Sequence, residues 1–261
     1  MVAFGYFPQK NKLKDFLFKI VGLPHPSGRL RAKHFFKLVE KKSKTLDVGC
    51  GEGAFCRELA KLGIEVVGLD TNKRSLEYAK KAAQACGLNI KFVLANAEKI
   101  PFKDSSFSQV ICLDVLEHVD DSQKVISEIR RVLKRRGIFI VSVPTPYYLT
   151  KSLTGISFSE HLKAIGHKSA GYSYPELKAL LERNGFEVTK HIEYYGFFSR
   201  LVNEVFYAIL GAKRISKARE EMYDSSFLAQ LSFFAIYSIM QLDALCPFTK
   251  KGGVMVKAIK K

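Results

Sequence analysis

The run Asp47-Val48-Gly49-Cys50-Gly51-Glu52-Gly53 carries the most specific chemical signal in the chain. Glycines at this density let a backbone turn tightly and approach a ligand with no Cβ in the way. With Ala54 the run also fits the dinucleotide pattern GxGxxA, so the glycines alone leave the nucleotide class open. Asp70 lies 19 residues beyond Gly51. A carboxylate at that distance can accept two ribose hydroxyls, a use common to several nucleotide classes. Asn96-Ala97-Glu98, then Ile100-Pro101-Phe102, then Leu113-Asp114-Val115-Leu116-Glu117-His118 add amide, carboxylate and imidazole groups.

Such groups converge only if the elements before them run in the same direction. From Thr45 onward, short β-branched runs alternate with helical patterns, the mark of a parallel sheet covered on both faces. The pattern predicts strands at Thr45–Val48, Glu65–Leu69, Ile90–Leu94, Gln109–Leu113 and Ile138–Val143, with helices starting near Ala54, Asn72 and Asp121. Gly63, Gly87 and Gly137 are placed as helix stops, and Asn72 as an N-cap. A helix at Glu176–Asn184 precedes a strand at Phe186–Tyr194, and Val254–Ile259 is the last strand. Each motif follows the carboxyl end of a strand, so a doubly wound sheet would bring all of them to one crevice.

The phrases LDVGCGEG, GLD, NAEKIPFKDSSF, VLEHV and LKRRGIFIVSVP, from Leu46 to about Pro144, resemble the class I S-adenosylmethionine-dependent methyltransferases, especially the quinone-biosynthesis branch. YPELKALLERNGFEV extends the likeness more weakly. The resemblance implies a Rossmann-like α/β fold with a seven-stranded, mostly parallel sheet and helices on both faces, and S-adenosyl-L-methionine as cofactor. It implies that Gly49, Cys50 and Gly51 pass under the methionine part, with Asp47 holding the loop or its water. Asp70 would bind the ribose, Thr71 would lie beside the adenine, and Leu113 would line the sulfonium side. Asn96 stands where the family usually has Asp. Its carbonyl oxygen can accept from the adenine amine without bringing charge, and the Ala97 backbone would complete that edge.

His118 is the candidate catalytic residue. It could take a proton from a phenol-like hydroxyl, or it could merely order the loop after strand four. Methyl transfer by positioning alone favours the second reading. Asp114, Glu117 and His118 resemble a metal-binding trio proposed for some quinone O-methyltransferases, yet the family pattern as a whole implies no metal. Cys112 reads as a small core residue. Enzymes that methylate amino nitrogens of bases usually carry Asn/Asp-Pro-Pro-Tyr after strand four. This chain has Leu113-Asp114-Val115-Leu116 there, which argues against adenine or cytosine methylation.

The 261 residues carry a net charge of +17, unevenly placed. Residues 1–44 hold 11 Lys/Arg against 2 acids, whereas residues 45–144 hold 15 against 13. The flanks therefore carry a field that suits an anionic partner: a lipid surface, a nucleic acid or an acidic substrate. Five scattered cysteines without a CxxC pair argue for a reducing, cytoplasmic setting, and no secretory signal is evident.

The organisation expected is a basic helical arm over 1–44, a methyltransferase domain over 45–196 and 250–261, and a helical insertion over 197–249. In the arm, Leu13, Phe16, Leu17, Ile20 and Val21 recur at helical spacing, with Lys10, Lys12, Lys14 and Lys19 largely off that face. That stripe fits an anionic membrane surface and equally a lid over a substrate pocket. Phe227–Leu242 is apolar around most of its circumference, so it is expected to be buried on most sides, in protein or in lipid. Tyr147, Tyr148, Lys151 and Lys163 add aromatic and basic character after strand five. The function expected is methyl transfer to an apolar or amphipathic small molecule or lipid-like acceptor, with the enzyme cytoplasmic or peripheral at the membrane. The alternatives are an RNA methyltransferase using the basic flanks and a non-catalytic cofactor-binding module.

Overall fold

A computed structural model describes residues 26–147, 166–202, 204–205, 235–246 and 249–261. The apolar stripe of residues 13–21, Tyr148, Lys151, Lys163 and the first half of the 227–242 segment lie outside them.

Helix α1 (Pro26–Phe35) leads into strand β1 (Lys44–Val48), and helix α2 (Ala54–Lys61) then returns the chain to β2 (Glu65–Asp70). Next come α3 (Lys73–Ala85), β3 (Lys91–Leu94), β4 (Phe107–Leu113), α4 (Ser122–Val132) and β5 (Leu133–Pro144). Helix α5 (Tyr174–Arg183), β6 (Phe186–Tyr194) and β7 (Gly253–Lys260) complete the regular elements. The sheet has seven strands in the order β3-β2-β1-β4-β5-β7-β6. β1 runs parallel to both β2 and β4, and β7 runs antiparallel to both β5 and β6. The strand order reverses between β1 and β4, which opens a crevice at their carboxyl ends.

A strand covered on both faces must be apolar at nearly every position. β4 comes near that demand: all of Phe107–Leu113 except Ser108 is buried, and only Ser108 and Gln109 are polar. Its alternate residues feed two cores. Val110 and Cys112 pack with α4 and α5 on one face. Ile111 and Leu113 pack with α1, α2 and α3 on the other. Short polar side chains start the helices: Asn72 Oδ1 accepts from Ser75 N at 3.1 Å and Asp121 Oδ1 from Lys124 N at 3.0 Å. Each satisfies a donor that the first helical turn leaves unpaired.

Three features depart from the sequence reading. Gly137 does not stop a helix. α4 ends at Val132, where Leu133 turns extended and begins β5, and Gly137 lies inside that strand. The arm is not wholly separate from the domain, because Phe35 is fully buried and Leu38 nearly so, among Cys56, Leu59 and Tyr194. Of the segment read as buried on most sides, the described part, from residue 235, is not: residues 235–241 are helical and Leu242–Leu245 form a 3₁₀ turn, with Met240 buried but Ile239 and Leu242 each 41% exposed. Among the described residues, no helix is long and apolar enough to cross a membrane.

Candidate active site

The crevice at the strand ends encloses about 590 Å³, within the size range of small-molecule sites. The loop after β1 forms its floor. Gly49 N and Cys50 N both donate to Leu69 O, at 2.7 and 3.0 Å, which folds the loop over the end of β2. Gly49 has φ +73°, and a Cβ there would lie 2.3 Å from Val115 Cγ2. Gly51 also has positive φ, and open space lies where its Cβ would be. A bound molecule can therefore reach the backbone at Gly51, and only glycine fits at Gly49.

Asp70 organises the same loop. Its Oδ2 accepts from Gly51 N at 2.7 Å and its Oδ1 from Asn72 N at 2.8 Å. Each oxygen retains a second lone pair for a ligand hydroxyl. Asp47 plays a different part. It is buried, its Oδ2 accepts from Cys56 Sγ at 3.1 Å, and burial pushes its pKa up to about 7.

Asn96 Oδ1 accepts from Glu98 N at 2.8 Å, so part of its acceptor capacity already shapes the turn after β3. The next residues are pinned from α4. Ile100 N donates to Glu128 Oε2 at 2.8 Å, while Arg131 Nη2 and Nη1 donate to Ile100 O and Phe102 O at 2.8 and 2.7 Å.

Of the residues read as cofactor-binding, Gly49, Gly51, Asp70, Thr71, Asn96 and Ala97 line the crevice, as does His118. Asp47, Cys50 and Leu113 do not. Cys50 and Leu113 are buried with the α2/α3 core on that face of the sheet.

The turn after β4 holds contacts that the sequence did not signal. Asp114 adopts φ +55°, the left-handed region that is costly for a residue with a Cβ. Its backbone N donates to Ser142 O at 2.9 Å, and its Oδ1 accepts from Ser142 Oγ at 2.7 Å. Its Oδ2 is ion-paired with Arg31 Nη2 of α1. Glu117 is buried at 1% exposure, and its Oε2 has no hydrogen-bond partner. Burial, and then the neighbouring Asp114, raise its pKa well above the usual carboxylate range, which favours the neutral acid.

Residues 166–169 fold back across this turn. Gly166 O lies 3.0 Å from His118 Nδ1, and Lys168 N donates to Glu117 O at 2.7 Å. Lys168 also lines the crevice and pairs with Asp120 at 2.5 Å. Glu117, His118 and His167 thereby bring ligand atoms within 4.8 Å of one another. One carboxylate and two imidazoles form a donor set that suits a zinc-like divalent ion. Asp114, the third member of the trio that the resemblance suggests, is committed instead to Arg31 and Ser142.

Residues 46–141 match the family described as a methyltransferase domain. A ubiquinone biosynthesis O-methyltransferase of Bartonella bacilliformis is 30% identical over 149 residues, 56% of this chain and 60% of that protein. The chain thus spans about three fifths of the length of this relative. A sterol 24-C-methyltransferase of Gibberella zeae is 43% identical over 99 residues, 37% of this chain and 26% of that protein. Among solved structures, an S-adenosylmethionine-dependent methyltransferase from Mesorhizobium loti superposes with a TM-score of 0.59 at 18% identity, covering 90% of this chain and 100% of that one. At that identity the likeness concerns the fold.

Proposed function

We propose that the protein, whose residues 46–141 match the methyltransferase-domain family, transfers the methyl group of S-adenosyl-L-methionine to an apolar or amphipathic small molecule, a quinone precursor or a lipid-like acceptor. The observation that carries the cofactor reading is the floor of the crevice. Gly51 leaves open space above its backbone beside a carboxylate, Asp70, that retains capacity for ribose hydroxyls. The residues present fit such a nucleoside: Thr71, Asn96 and Ala97 line the same crevice and would lie at its base end.

When bound, this cofactor supplies an activated methyl group whose departure neutralises a sulfonium. The demand on the protein is then alignment and exclusion of water rather than charge stabilisation. Asp70 and the 49–51 loop orient the cofactor. Val115 rests against Gly49 and fixes the wall of the crevice beyond the loop. His118 is exposed, and its Nδ1 is held by Gly166 O, so its Nε2 is the atom that could take an acceptor's proton. We read it as ordering the turn, with methyl transfer carried by position. The acceptor class draws support from the two similar methyltransferases, one of ubiquinone biosynthesis and one of sterols. Scattered cysteines without a CxxC pair support a cytoplasmic setting.

Calorimetry with S-adenosylhomocysteine and with NAD tests the reading. Micromolar binding of the first and none of the second is expected. Binding of NAD alone refutes it.

A further inference from the structure

The ladder between β4 and β5 breaks at the end of the sheet remote from the crevice. Phe107 pairs with Leu133 and Gln109 with Ile138, so two steps along β4 are matched by five along β5. The residues between, Lys134-Arg135-Arg136-Gly137, bulge from the ladder, and the first three are exposed. Arg136 adopts φ +58°, a left-handed conformation that is costly with a Cβ and free for glycine. The bulge thus carries a cation where its backbone favours glycine.

Further cations gather around it. The exposed Arg130 lies against Gly185, where a Cβ would sit 2.8 Å from Arg130 Nε. Lys260 Nζ donates to Leu133 O at 2.6 Å, immediately before the bulge. Burial, and then the charge of Arg130, push the Lys260 pKa down, with Asp104 opposing. Asp104 and Glu128 are already paired with Arg131, at 2.8 and 2.7 Å, and among the described residues Arg130, Lys134, Arg135 and Arg136 have no ion pair. Arg130 is in the last turn of α4, where a cation suits the helix dipole. The three bulge residues lie beyond that turn and have no such reason. Five cations therefore stand together and repel one another. The segments outside the described residues join at the opposite end of the sheet, after β5, between β6 and β7 and before α1.

We propose that this cationic bulge binds the phosphate backbone of a nucleic acid. Three of the five cations, Arg130, Arg135 and Arg136, are guanidinium forks, which meet phosphate oxygens bidentately. Among the described residues, no large exposed aliphatic side chain lies on α4, β5 or β7. The surface therefore lacks the apolar insertion that reversible bilayer binding adds to charge. The rings nearby, Phe139 and Phe186, are fully buried, so no base can stack there and recognition is of the backbone alone.

The bulge is separate from the crevice. Ser142, whose carbonyl holds Asp114 in the crevice wall, is six residues beyond Arg136, about 20 Å along the strand. Nucleic acid bound at the bulge is thus a tether and not the methyl acceptor. The inference does not depend on the methyl-transfer reading.

The test is fluorescence anisotropy of a labelled duplex RNA of about 20 base pairs, titrated with the full chain from about 50 to 200 mM salt. Lys134→Ala/Arg135→Ala/Arg136→Gly should weaken binding threefold or more, on the order of tenfold. It should also flatten the slope of log affinity against log salt by about two to three, as loss of three phosphate contacts requires. Lys73→Ala/Lys80→Ala/Lys81→Ala removes the same charge from the exposed face of α3 and should bind within about twofold of the wild type. Arg136→Gly alone should weaken binding while raising the melting temperature, because glycine suits φ +58°.

The proposal is overturned if the wild type does not bind the duplex at low salt, or if the bulge variant loses less than threefold. Equal losses in the two triple variants would show that binding follows net charge and not place, and would overturn it as well. So would a lowered melting temperature for Arg136→Gly, which would make the side chain part of the fold. Vesicles of phosphatidylcholine plus phosphatidylserine bound in place of the duplex, with the same sensitivity to the bulge substitutions, would make the partner a lipid surface and refute the nucleic-acid reading. Calorimetry with S-adenosylhomocysteine on the wild type is read separately. Its failure counts against the enzyme reading and leaves the duplex result standing.

Discussion

Replacing Asp70 with Ala removes a carboxylate whose two oxygens accept from Gly51 N in the loop after β1, at 2.7 Å, and from Asn72 N at the start of α3, at 2.8 Å. Two losses follow. The remaining lone pairs can no longer accept two ribose hydroxyls, and hydrogen bonds to a charged acceptor contribute about 1.5–3 kcal/mol each when exposed competition is limited. The Gly51 amide also loses the partner that aims it. Asp70 is half-buried, so solvent reduces the total to about 2–4 kcal/mol, which is about 30- to 1000-fold in dissociation constant. Asp70→Asn keeps one carbonyl acceptor without the charge and should fall between wild type and Ala. Titration calorimetry with S-adenosylhomocysteine measures both, with circular dichroism to confirm the fold. If Asp70→Ala binds within threefold of the wild type, Asp70 is not a ligand and the ribose must lie elsewhere.

Three further outcomes are expected. Asp47 has a folded-state pKa pushed up to about 7, so the folded chain holds a proton there that the unfolded chain releases near pH 4. Stability is therefore lost as pH rises from about 4 through 7, and Asp47→Asn should gain melting temperature relative to the wild type at pH 8 more than at pH 5. Arg31→Met leaves Asp114 in the crevice wall without its cation and should cost about 3 kcal/mol in urea unfolding, and Arg31→Met/Asp114→Asn should recover part of that. Equal stability of the single and double variants would show that the pair is not coupled. His118→Ala should bind S-adenosylhomocysteine as the wild type does. A loss of rate on the order of 10²–10⁴-fold with an identified acceptor would make it a general base after all.

What could be read from the chain alone was local. The Gly49-to-Gly53 turn, the Asp70 carboxylate at the end of β2, the N-cap Asn72 and the helix start near Asp121 depend on neighbours a few positions away. Strand alternation then fixes which ends they occupy. Six of the nine residues read as cofactor-binding do line the crevice. Of the other three, Asp47 and Cys50 are expected to act through the loop itself, and the direction of the Leu113 side chain is settled by which face of the sheet its helices cover.

The Arg31–Asp114 pair and the meeting of Glu117 and His118 with His167 join segments far apart in the chain. No periodicity or spacing encodes such contacts, because they exist only once α1 and residues 166–169 pack over the ends of β4 and β5. The same holds for the described end of the Phe227–Leu242 segment. Its composition calls for burial in protein or in lipid, and only the placement of the helix against α1, with Met240 turned inward and Asp243 anchored to Gly196 and Ser199, decides which apolar side chains are left facing solvent.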